Sequence, residues 1–99
     1  MTGAAGNAAP GSLTRSLAIG NKRGLHARAA AKFVRTAGQF DAAIRVSFKG
    51  QDVSGLSIMG LMMLAAGIGS SIELSCSGRQ ALEAMTALSA LVEGKFGED

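Results

Sequence analysis

Ninety-nine residues, 47% hydrophobic and 17% charged, can build one compact core and not two, so a single domain is expected. The net charge of +3 is spread without a basic run, and four phenylalanines with no tyrosine or tryptophan offer little for stacking bases, which argues against nucleic-acid binding. Cys76 is the lone cysteine, so an internal disulfide and a cysteine metal site are excluded, and no apolar run is long enough to span a bilayer or act as a secretory leader; a cytoplasmic protein is expected.

Residues 1–12, MTGAAGNAAPGS, are small and glycine-rich and hold the only proline. They cannot bury enough apolar area to offset the entropy of ordering, and read as a flexible arm before a domain over residues 13–99. Leu13, Leu17 and Ile19 share one face at period two, interrupted by Arg15, which predicts a strand over Leu13 to Ile19 that runs into the loop GNKRG. From Ala27 the period changes. Ala30, Phe33, Val34 and Ala37 fall at i, i+3, i+4 and i+7, while Arg28, Lys32 and Arg35 line a separate face; this predicts a helix stopped by Gly38 in the left-handed conformation.

Ile44, Val46 and Phe48 then alternate with Arg45, Ser47 and Lys49 in a half-buried strand, and Gly50 turns it into a short partner around Gln51 to Val53. Ser57 is placed to cap a short helix from about Ile58 to Ala65, ended by Gly67 and Gly69. In that helix Ile58, Leu61 and Met62 could face the core, with Met59 and Met63 on other sides. Ser71 to Ser77 alternates again, Ile72, Leu74 and Cys76 pointing one way, and Gly78 turns the chain into a last amphipathic helix, about Arg79 to Val92, striped by Ala81, Met85, Leu88, Leu91 and Val92. The order β-α-β-β-α-β-α suits a two-layer α+β domain, with the helices on one sheet face and water on the other.

The only histidine stands in RGLHARAAAKF, where the first helix begins. With Ala27 as the first helical residue, His26 becomes the N-cap. The first turn leaves amide N–H groups without internal partners and carries the positive end of the peptide dipoles, so the backbone at Ala27 and Arg28 favours an anion. Arg28 can lean over the same end with a planar donor fork suited to phosphate oxygens. A neutral imidazole at the surface, favoured by the positive helix end, could accept, hold and surrender a phosphoryl group. No second general base, carboxylate pair or metal cluster is evident to complete an active site, so a relay is expected rather than an enzyme with its own turnover. The competing reading makes His26 a solvated cap and Arg28 an ordinary surface charge. Likewise Ser57 is either a plain cap worth about 1 kcal/mol or a site where phosphate would set a dianion amid apolar neighbours. Met59, Met62 and Met63 are either core filler or an adaptable docking patch.

The joined pattern carries more. GLHARAAAKFV followed, after a strand pair, by GLSIMGLMMLAAGIGSSIEL closely resembles the HPr family, the histidine-containing phosphocarriers of the bacterial phosphoenolpyruvate-dependent phosphotransferase system, over nearly all of Leu13 to Val92. The resemblance implies an open-faced β-sandwich, three helices on one side of a four-stranded antiparallel sheet. It makes His26 the residue phosphorylated on Nδ1 by enzyme I, with an enzyme IIA domain receiving the group, and Arg28 the active-site arginine. Ser57 matches the regulatory serine that a dedicated HPr serine kinase phosphorylates in some bacteria. A cytoplasmic monomer without a cofactor is implied. Two positions depart from the pattern. Ala29 stands where the family usually has proline, which restores an N–H and loosens the first turn and resembles variants of the nitrogen-related regulatory branch. Leu56 replaces the lysine that often precedes the serine, which weakens kinase recognition. The alternative to a sugar-transport carrier is therefore a regulatory module of the nitrogen-related branch that acts by docking partner proteins.

Overall fold

The computed structural model describes residues 12–98; the arm expected over residues 1–12 lies, except for Ser12, outside the described residues. Strands β1 (Leu13–Ala18), β2 (Ala43–Phe48), β3 (Gln51–Ser54) and β4 (Ser71–Ser77) form one antiparallel sheet in the order β1-β4-β2-β3. Helices α1 (Ala27–Ala37), α2 (Ile58–Met63) and α3 (Ala81–Glu93) complete the predicted order, and a short 3-10 turn, Lys95–Gly97, follows.

Register brings the apolar halves of the strands together. Leu17 lies opposite Ile72, Ile44 opposite Cys76 and Val46 opposite Leu74, so the alternation of each strand builds one continuous apolar face. Phe33 and Ala30 of α1 and Leu88, Ala84 and Val92 of α3 are buried in the same cluster. Burying side chains the size of Phe33 and Leu88 stabilises by roughly 1.5–3 kcal/mol each. Elsewhere on β2 and β3 polar side chains meet in the open: Arg45 Nε donates to Asp52 Oδ1 at 3.2 Å, both exposed. β2 and β3 are joined by Lys49 and Gly50 with φ of 49° and 81°, the two positive values that a tight two-residue hairpin requires.

Three local expectations are corrected. Gly38 ends α1 in right-handed rather than left-handed geometry (φ −69°, ψ −9°), because successive tight bonds, Gln39 N to Thr36 O and Phe40 N to Ala37 O, unwind the helix without a reversal. α2 stops at Met63 rather than near Ala65, and the first left-handed residue after it is Ala65 (φ 56°), ahead of the two glycines expected to end it, of which Gly69 has φ 86°. Burial explains this: Leu64 and Ala66 flank Ala65 and are both inside, which holds an alanine in a conformation costing about 1–2 kcal/mol. Finally, within α2 only Leu61 is buried, whereas Ile58 and Met62 are each 39% exposed. Spacing puts Ile58, Leu61 and Met62 on one side of the helix, but where α2 packs against α1 and β3 only Leu61 is covered.

Candidate functional site

The approach to His26 is set by a backbone crossing. Gly24 has φ +64°, and a Cβ there would lie 2.5 Å from Ala66 O, so no other residue fits. Leu25 N donates to that same Ala66 O at 3.0 Å and its side chain is buried, tying the loop before α1 to the segment after α2. His26 then takes the N-cap position (φ −77°, ψ −179°), and its carbonyl accepts the first helical bond from Ala30 N at 2.9 Å. The predicted helix start is correct to the residue.

The imidazole does not bond the helix amides. Among the described residues, the amides of Ala27, Arg28 and Ala29 have no acceptor, and together they present donors where an anion is favoured. The ring is less open than a bare helix end would leave it, with its side chain only 14% accessible. What covers it is Glu98. Its carboxylate lies against Nε2, Oε2 at 2.8 Å and Oε1 at 3.1 Å. The fully buried Asn21 divides its amide between Gly24 O, at 2.9 Å, and Glu98 Oε1, at 3.1 Å. The Asn21 hydrogen bond, and after it the His26 contact and the charges of His26 and Lys32, hold the Glu98 carboxyl below its ordinary range. An ionised carboxylate only accepts, so Nε2 carries the proton at this contact, while Nδ1 makes no hydrogen bond among the described residues.

Glu98 reaches this position because the chain doubles back after α3. Lys95 and Phe96 both take left-handed backbone (φ 58° and 56°), Phe96 is completely buried, and Lys32 Nζ of α1 donates to Phe96 O at 2.6 Å. None of this was expected. An aromatic in GKFGED, just past the last helix, was the one available hint of an anchor; nothing local marks Glu98 or Asn21.

Arg28 is exposed at the same helix end, and its guanidinium makes no hydrogen bond or ion pair among the described residues. Ser57 sits apart at the start of α2, which packs against α1. Its Oγ accepts from Gly60 N at 2.9 Å, the capping bond foreseen for it. Met59 and Met63, 68% and 73% exposed, lie with Leu56, Ile58, Met62 and Ile68 in and beside this helix, all of them exposed.

Residues 13–94 match the family model described as the PTS HPr component phosphorylation site. The chain is 51% identical over 86 residues to the phosphocarrier protein HPr of Cupriavidus necator, covering 87% of this chain and 97% of that one. It is 44% identical to the phosphocarrier protein NPr of Shewanella violacea, covering 87% and 94%. Among solved structures, HPr-C-His from Thermoanaerobacter tengcongensis superposes with a TM-score of 0.84 at 44% identity, over 88% of this chain and 98% of that one.

Proposed function

The chain belongs to the HPr family of phosphotransferase-system phosphocarriers, and from that premise we propose that it accepts a phosphoryl group on His26 Nδ1 from enzyme I, with phosphoenolpyruvate as the source, and passes it to an enzyme IIA domain. The observation that carries this reading is the placement of His26: it caps α1 and, among the described residues, its Nδ1 is unbonded and the three amides that follow it have no acceptor. In the forward step the Nδ1 lone pair forms the N–P bond as the donor's bond to phosphorus breaks and its electron pair leaves with the donor. The phosphoryl oxygens are received by the amides of Ala27 and Arg28 and by the Arg28 guanidinium. Delivery to the acceptor is the same exchange run outward, so the protein is a substrate of its partners without independent turnover. Ala29 contributes a third amide where proline would have none.

Around this site the exposed apolar side chains of Met59, Met62 and Met63 are the docking surface for enzyme I and the IIA domain, since thioether chains repack against different partners. Ser57 is the regulatory position for an HPr serine kinase, and the protein works as a cytoplasmic monomer. The 44% identity to an NPr and the alanine at position 29 support a second reading, in which the output is regulation in the nitrogen-related branch.

Phosphorus NMR after exposure to enzyme I and phosphoenolpyruvate tests the carrier reading. A phosphoramidate resonance is expected from the wild-type protein and none from His26→Ala, whose circular dichroism should be unchanged. Labelling of that variant at the wild-type rate refutes the assignment. Partner binding indifferent to phosphorylation of His26 would favour the regulatory module.

A further inference from the structure

We propose that Glu98 is a positioning residue for the phosphoryl acceptor, its carboxylate holding the proton on His26 Nε2 so that the lone pair stays on Nδ1. This rests on the carrier reading of His26 and says how the ring is made ready.

An exposed carboxylate beside a histidine is commonly opportunistic and contributes little. Glu98 is held differently. Its side chain and that of His26 are 18% and 14% accessible, and two other elements reach it, His26 from the cap of α1 and the buried Asn21 from the loop after β1, while its own segment after α3 is fixed by buried Phe96 and by Lys32. Neutral imidazole has one N–H and one lone pair. A carboxylate that accepts from Nε2 assigns the lone pair to Nδ1 and withdraws Nε2 as a competing nucleophile. The same logic underlies a carboxylate behind a catalytic imidazole, where it sets the tautomer and steadies the charge that develops on the ring. When the Nδ1 pair is committed to phosphorus and Nε2 keeps its proton, the ring becomes cationic. Glu98 stands 2.8 Å from that N–H, on the edge of the ring away from Nδ1, so it stabilises the cation more than it repels the phosphoryl dianion.

The test compares the full-length wild type with Glu98→Ala and Glu98→Gln. Imidazole nitrogen-15 shifts report the tautomer, and single-turnover labelling by enzyme I and phosphoenolpyruvate reports acceptance. Glu98→Ala should move the nitrogen shifts toward a mixture of tautomers and slow labelling about tenfold, with the label still on His26. Glu98→Gln, which keeps an acceptor oxygen without the charge, should restore the tautomer and only part of the rate. Unchanged nitrogen shifts or an undiminished rate in Glu98→Ala overturns the proposal while the carrier reading stands. Failure of the wild type to take label overturns both.

Discussion

His26 and Glu98 are 72 positions apart, and folding brings the carboxylate to 2.8 Å from Nε2. The carboxyl of Glu98 is acidified chiefly by the Asn21 amide and less by the imidazole. Because its folded value is depressed, the contribution of this contact to stability is complete above the ordinary carboxyl value of 4.5 and is lost as pH falls through the lower folded value. A carbon-13 titration of the Glu98 carboxyl should therefore give a midpoint below 4.5 in the wild type, moving upward in Asn21→Ala. A wild-type midpoint at or above 4.5 would contradict the geometry. At the opposite extreme, the Cys76 thiol is buried in β4 and pushed up by desolvation, which fits a residue that packs and does not react.

α2 has six residues, far below the ~12–15 at which an isolated helix becomes even marginally stable. It is held by the Ser57 cap at one end and by Leu61 and Leu64 inside, and these few anchors leave its methionines outside. In so short a helix Ile58, Leu61 and Met62 fit an inward stripe by spacing, and only packing against α1 and β3 selected Leu61. A phosphate on Ser57 would remain at a favourable helix end yet stand among Leu56, Ile58 and Met59, a charge that a docking partner must desolvate. Incubation with an HPr serine kinase and ATP should place label on Ser57 by mass mapping and weaken enzyme I binding about tenfold, equivalent to ~1.4 kcal/mol. Label on another residue, or unaltered affinity, counts against both the regulatory and the docking assignments.

Phe96 joins the site to the core. Its ring is fully buried in the cluster that Phe33 and Leu88 occupy, and its carbonyl takes the Lys32 ammonium, so the same residue stabilises the domain and returns Glu98 to His26. Phe96→Ala should cost about 3–5 kcal/mol in urea unfolding, the usual loss for a buried aromatic, and should slow phosphoryl acceptance as Glu98→Ala does. A loss under ~1 kcal/mol would show that the ring is not an anchor. The order of strands and helices, the apolar face of the sheet and the capping of α1 by His26 were legible in the chain because each is local, written in a period of two or 3.6 and in the residue before a helix. Gly38, Ala65 and the left-handed pair Lys95 and Phe96 were not, since backbone geometry there follows from what neighbouring side chains bury. The architecture and the place of His26 at the head of α1 follow from such local pattern. Which ring nitrogen is occupied follows instead from the folded arrangement, because a carboxylate 72 positions away meets Nε2, and no local pattern encodes such a meeting.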